Sequence, residues 1–130
     1  MDLIKLSANE ALKMMEEGSL SSEEYVKAFL KQIELREDDV GAWIFLDPKL
    51  ALEQAREADK RWKDKSAGKL NGLPIGIKDI IDTKDMPTEN GSHLCKNRKP
   101  SKDAHLVRLL RDEGAVITVS YTHLRAHETS

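Results

Sequence analysis

The stretch Leu70–Asp82, LNGLPIGIKDIID, decides the reading of this chain. Leu73, Ile75, Ile77, Ile80 and Ile81 form a short apolar run rich in β-branched residues. Asn71-Gly72 and Pro74 open it, and such residues punctuate the start of strands. So continuous a run suits a strand covered on both faces, in a sheet sandwiched between helices. Lys78 stands inside it. Desolvating an ammonium is costly, so a lysine there must be paired, hydrogen-bonded or neutral through a lowered pKa. A neutral lysine can accept a proton in catalysis. Ideal alternation puts Ile75, Ile77, Asp79 and Ile81 on one face and Gly76, Lys78 and Ile80 on the other. Lys78 then shares its face with a glycine, which leaves room for another group to approach the amine. The plain alternative is a strand-end lysine that snorkels to water.

Upstream of this strand the chain reads as helices. Ser7–Glu10 (SANE) matches a capping box, followed by Ala11, Leu12, Met14 and Met15, with Gly18 as a stop. Ser21–Glu24 (SSEE) is a second box. It opens a helix whose Tyr25, Val26, Phe29, Leu30 and Ile33 recur at three- and four-residue spacing, which predicts one buried face. Ala42–Leu46 is strand-like, and Asp47-Pro48 supplies an N-cap and first-turn proline for a third helix. Its apolar positions are Leu50, Ala51, Ala55, Ala58 and Trp62, with Trp43 and Trp62 as packing anchors. Lys63–Lys69 reads as a polar linker.

Downstream, Asp82–Pro100 lacks periodicity and reads as a long loop, a kind of segment that is often functional in compact domains. Ser101 or Asp103 is expected to cap a fourth helix carrying Ala104, Leu106, Val107, Leu109 and Leu110, stopped by Gly114. Ala115-Val116-Ile117 begins another strand. Strand, crossover helix, strand is the pattern of a parallel pair in an α/β sheet. The fold class expected is α/β: N-terminal helices, then the first strands and crossover helix of a mixed sheet covered by helices. Thr118–Ser130 turns polar and resembles a translated sequencing-adapter read-through, so residues 118–130 are expected to be a non-native tail.

Composition bounds the function. The 130 residues are 39% hydrophobic and 34% charged, above the roughly 25% charge of average globular chains. Solvated helix faces account for the excess. A net charge of −2 gives no bias toward nucleic acid or anionic membranes. The lone Cys95 excludes an internal disulfide, and no run reaches the ~18 apolar residues of a membrane span. A cytoplasmic location is therefore expected, with no membrane and no direct nucleic-acid binding.

The segment LNGLPIGIKDIIDTKDMPTENGS resembles the N-terminal signature block of the amidase signature family, serine hydrolases that cleave or transfer carboxamides. The likeness extends over Ser7–Ile117 and includes AREADKRW and DAHLVRLLRDEGAVI. It implies that residues 1–117 are the N-terminal part of a longer amidase domain, an incomplete amidase signature fold. It implies a triad of a nucleophilic serine, a second serine with a cis peptide bond, and a lysine that falls on Lys78. Neither catalytic serine is matched, since Ser92, Ser101 and Ser120 fit no part of the family's glycine/serine loop. The implied substrate is a small-molecule amide, with no cofactor, a possible homo-oligomer, and no activity in this piece alone. A related reading is the A subunit of a tRNA-dependent amidotransferase. Two others are a non-catalytic module that binds a partner through the Ser21–Glu37 helix, and a piece that does not fold stably because Ile75–Ile81 is an unpaired edge.

Other candidates are weaker. Thr88, Asn90, Gly91 and Ser92 match the family's loop after the lysine strand and are expected to rigidify a turn. Asp79 and Asp82 have the look of an acid/base pair, but strand-to-loop hydrogen bonding is the simpler role. Cys95 has only His93 nearby, and His105 reads as a helix-surface residue. His123 and His127 have helical metal-ligand spacing without the glutamate of a His-Glu-x-x-His site.

Overall fold

The computed structural model describes residues 2–40, 43–78, 81–86, 88, 94 and 98–121; side chains are described outside 37–45 and 119–121. After a 3₁₀ turn at Leu3–Lys5, the elements are α1 (Ala8–Glu17), α2 (Ser22–Val40), β1 (Trp43–Leu46) and α3 (Pro48–Lys63). Then come β2 (Pro74–Lys78), α4 (His105–Asp112) and β3 (Val116–Tyr121). The strand order is β1-β3-β2, with β1 antiparallel and β2 parallel to β3. The predicted parallel pair joined by a crossover helix is therefore present, in a mixed sheet.

Local chemistry starts the helices where the sequence places them. Ser7 Oγ accepts from Glu10 N at 3.1 Å while Glu10 Oε1 accepts from Ser7 N at 3.0 Å. Ser21 and Glu24 repeat this exchange at 3.0 and 3.3 Å. Asp47 Oδ1 accepts from Leu50 N, with Pro48 in the first turn of α3. A second carboxylate reaches α2 from outside it. Asp59 of α3 accepts from Ser22 N at 2.7 Å and Glu23 N at 3.1 Å, which satisfies two of the orphan donors of that helix start. The fourth helix departs from expectation. Its N-cap is Ala104, which makes no side-chain capping bond. Asp103 is drawn off, because its carboxylate accepts from Lys84 N and pairs with Arg111.

Helices cover both faces of the sheet. Val26, Ala51, Ala55 and Val116 cluster on one side, where α3 and α2 lie; Ile77, Met86, Val107 and Ile117 cluster on the other, with α4. Val116 and Ile117 are consecutive, so the pleat itself sends one to each layer. A third cluster of Ala11, Met15, Leu20, Tyr25 and Leu73 fastens α1 and α2 to the approach of β2, with Trp62 and Phe29 packed against it. The side chain of Trp43 lies outside the described residues.

Two expectations change. Strand β2 is shorter than the Leu73–Ile81 run, ending at Lys78, and of its residues only Ile77 is fully buried. Ile77 clusters with Met86 and with Val107 of α4, and β2 has no strand on its second edge among the described residues. The Lys63–Lys69 segment is not a passive linker. Its end is hydrogen-bonded to the α4–β3 turn, through Lys69 N to Glu113 Oε2 at 2.7 Å and Leu70 N to Glu113 O at 3.0 Å. Strand β3 runs from Val116 to Tyr121.

Asn71 locks this junction. Fully buried, it donates to Ala58 O at 2.8 Å and accepts from Arg61 Nε at 2.9 Å. Gly114 packs on it with φ +88°, and an added Cβ would collide with the Asn71 side chain. Gly18 has a similar φ of +82° but opens onto space. Gly18→Ala is therefore expected to cost only the left-handed backbone term, about 1–2 kcal/mol. Gly114→Ala adds overpacking of about 1–3 kcal/mol to the same term. Urea unfolding of the two variants should rank Gly114→Ala clearly lower in stability; equal losses would contradict the described contact.

Candidate active site

Lys78 is the last residue of β2, at the carboxyl end of a strand paired in parallel with β3. Sites in open α/β sheets lie outside those ends, where helices no longer flank the backbone. Its register partner on β3 is Tyr121. The pairing slips between Ile75 and Gly76, from Ile117 to Val119, so β3 carries one extra residue beside the strand. Lys78 is half-buried, less enclosed than the apolar run suggested.

Ile81 N donates to Lys78 O at 3.0 Å. Thr88 Oγ1 donates to Ile81 O at 3.4 Å and accepts from Thr83 N at 3.3 Å, while Thr83 Oγ1 donates to Met86 O at 3.4 Å. Both threonines and Met86 are buried. Thr88 thus rigidifies the turn, as its sequence context suggested.

Asp82 has the strand-to-loop role expected of it. Its backbone oxygen accepts from Ala104 N at 2.8 Å, and its carboxylate takes Arg98 Nη1 and Nη2 at 2.8 and 3.3 Å. The guanidinium holds the Asp82 carboxyl below the usual aspartate range, against a smaller opposing effect of burial. Farther along, Arg111 Nη2 meets both Asp85 oxygens at 2.9 Å, and its Nε lies 2.9 Å from Asp103 Oδ2. That second contact is ionic rather than a well-aligned hydrogen bond. The pairing of Arg111 with Asp85 and Asp103 was missed in the sequence, where Arg111 is one of many helical charges.

Two of the remaining candidates are described, and both lie at the surface. His105 is exposed at the start of α4, 3.4 Å from Arg108 through Nδ1, and Ser101 is exposed. Asp79, Asn90, Gly91, Ser92, His93, Cys95, His123 and His127 lie outside the described residues, as does the side chain of Ser120. Among the described residues no three His, Cys, Asp or Glu side chains are placed to hold a metal, and no helix is long and apolar enough to cross a membrane.

A lysine at the end of a parallel strand pair, with a braced turn beyond it, is the arrangement of an α/β protein. The amidase family profile matches residues 24–124, and the chain belongs to that family, the amidase signature proteins. The A subunit of the glutamyl-tRNA(Gln) amidotransferase from Dehalococcoides mccartyi is 37% identical over 116 residues, 89% of this chain and 24% of that protein. Among solved structures, the peptide amidase of Stenotrophomonas maltophilia superposes with a TM-score of 0.84 at 33% identity, over 90% of this chain and 24% of its own. A fatty acid amide hydrolase superposes at 0.85 with 30% identity, over 92% and 21%. This chain therefore spans about a quarter of the length of the relatives it matches.

The lowered Asp82 value fixes a sign. Its ion pair stabilises the folded loop above the unfolded aspartate pKa of roughly 3.9, and that contribution is lost as pH falls through the lower folded value. NMR titration should place the Asp82 midpoint below that of a free aspartate, and Arg98→Gln should raise it. A midpoint indifferent to that substitution would remove Arg98 as the cause.

Proposed function

We propose that the complete protein hydrolyses a carboxamide through an acyl-enzyme, with Lys78 as the base that starts the reaction. The observation that carries this is the position of Lys78: the residue matching the family lysine ends a parallel strand, beside Gly76, and its outgoing turn is hydrogen-bonded to it. Membership of the amidase family supports amide chemistry in general. The finer assignment comes from the resemblance of the GIKD step to the family's lysine.

The chemistry follows from proton balance. A neutral Lys78 Nζ accepts a proton from a bridging serine hydroxyl, which takes the proton of the nucleophilic serine as that oxygen attacks the amide carbon. Both serines are supplied by polypeptide beyond this chain. Collapse of the tetrahedral adduct breaks the C–N bond, and the proton returns through the relay to the departing amine. Water then cleaves the acyl-enzyme by the same route. Backbone amides in a glycine/serine loop would hold the oxyanion, commonly the largest electrostatic contribution. The half-exposure of Lys78 fits this division of labour, because a base that must be desolvated needs a cover, and most of the domain is contributed by the rest of the parent.

A second reading has its own support. The 37% identity to an amidotransferase A subunit exceeds the 33% to the peptide amidase, although IIDTKDMPTENGS is worded more like stand-alone amidases. A protein of that kind would pass ammonia to a partner protein instead of releasing it.

The complete protein, assayed alone for ammonia release from glutamine, short aliphatic carboxamides and amidated dipeptides, separates the two. Turnover without partner proteins supports the hydrolase; turnover of glutamine only when the other amidotransferase components are added supports the amidotransferase. In either, Lys78→Ala should lower kcat by roughly 10²–10⁴-fold, the usual worth of a general base, with the circular dichroism spectrum unchanged. Turnover near wild type in that variant would sink the assignment of Lys78.

A further inference from the structure

Arg111 is joined to more elements than any role in helix solubility requires. From the last turn of α4 its guanidinium grips both Asp85 oxygens at 2.9 Å, faces Asp103 Oδ2 at 2.9 Å, and donates to Gln54 Oε1 of α3 at 3.4 Å. Gln54 in turn is bonded to both backbone groups of Ile117 on β3, at 3.0 Å each. On the loop side Asp103 Oδ1 accepts from Lys84 N at 2.9 Å. The Lys84-Asp85 turn therefore hangs from one cation referenced to α3, α4 and β3 together.

That turn is connected to Lys78 without a gap. Thr83 N and Ile81 O both bond Thr88 Oγ1, and Ile81 N bonds the carbonyl of Lys78 itself. Met86, next to Asp85, is buried against Ile77, the residue before the lysine. Displacing Asp85 thus tugs on Lys78 from two directions, through the backbone turn and through the packing of Met86. Exposure separates the two acids. The Asp103 side chain is 3% exposed and Asp85 is 23% exposed, so Asp103 depends on Arg111 for neutralisation and Asp85 is the arm that reaches the loop.

We infer that Arg111, acting through Asp85, is a positioning residue that sets where the Lys78 amine stands during amide cleavage; this rests on the reading of Lys78 as the base. Arg111 touches neither substrate nor reacting atoms in this scheme. Its three separate nitrogens matter, because Nη2 meets Asp85 while Nη1 faces Gln54 and Nε faces Asp103, a spread that a single ammonium does not have.

Removing Arg111 outright would strand the buried Asp103 and could unfold the domain, so Asp85→Asn is the informative variant: it releases the loop and leaves Arg111 on Asp103. In the complete protein, with active sites counted by fluorophosphonate labelling, Asp85→Asn should lower kcat per labelled site about tenfold, since misplacing a catalytic group is costly. KM should stay within about twofold, because no substrate contact is altered. Hydrogen exchange over residues 82–86 should accelerate, the melting temperature should hold, and Asp85→Glu should recover most of the rate. Arg111→Lys should lower kcat as well, having lost the separate nitrogens that face Gln54 and Asp103.

An Asp85→Asn protein with wild-type kcat per labelled site overturns the proposal. So does one in which fewer sites label or the melting temperature drops while kcat per site holds, for that is a stability role only. No ammonia release from the wild-type protein with any of the amides, alone or with the other amidotransferase components, would instead overturn the amide reading, and the positioning role with it, before any variant is made.

Discussion

The double-sided hydrogen bonding of β3 is the constraint on which the architecture depends. Val116–Tyr121 pairs in parallel with β2 along one edge and antiparallel with β1 along the other. The two layers of helices are also referenced to it, because Val116 and Ile117 point into opposite clusters. A one-residue slip would exchange those two side chains between layers, so the register is fixed by packing as well as by backbone bonds. Lys78 inherits its place from this strand, since β2 finds its position by pairing with β3.

Polar side chains complete the sheet and helices where backbone partners give out. Strand β1 pairs only with Val119–Tyr121, which would leave the backbone of Ile117 open on that edge. The Gln54 amide fills the position, donating and accepting as a strand would. Asp59 does the same for the start of α2, and the buried Asn71 amide is itself satisfied by donating to the Ala58 carbonyl inside α3. A buried polar group left without a partner costs about 1–3 kcal/mol, so each of these residues guards against a loss larger than any surface ion pair contributes. Together they make α3 the bracket that carries the strands.

The candidate site follows the same economy. Its hydrogen-bonded parts are the end of β2, the threonine-braced turn and the Arg111 junction. Exposed ion pairs such as Arg98–Asp82 add little energy, about 1 kcal/mol or less, and serve here to fix the path of the loop.

Much of this was legible in the sequence, and the legible parts share a cause. Capping boxes at Ser7 and Ser21, the Asp47-Pro48 start, the Gly18 and Gly114 stops and the apolar stripe from Tyr25 are all decided within one or two turns of chain, so local chemistry predicts them. The parallel pair also followed, because a strand, a helix and a strand of these lengths admit few arrangements. Lys78 was singled out by contrast with its apolar neighbours and by the family motif around it. The capping of α4 was misread because Asp103, a good N-cap by type, is claimed by Lys84 and Arg111 from 19 residues before it and eight after it. The roles of Gln54, Asp59, Asn71 and Arg111 were invisible for the same reason: each polar side chain looks solvent-bound until folding brings a distant backbone or carboxylate to it. Sequence alone thus determined which segments are helices and strands, where most of them begin, and which lysine to suspect. Only the tertiary structure decided how deeply that lysine is buried and what braces it, because burial and long-range pairing belong to the assembled layers and not to any single stretch.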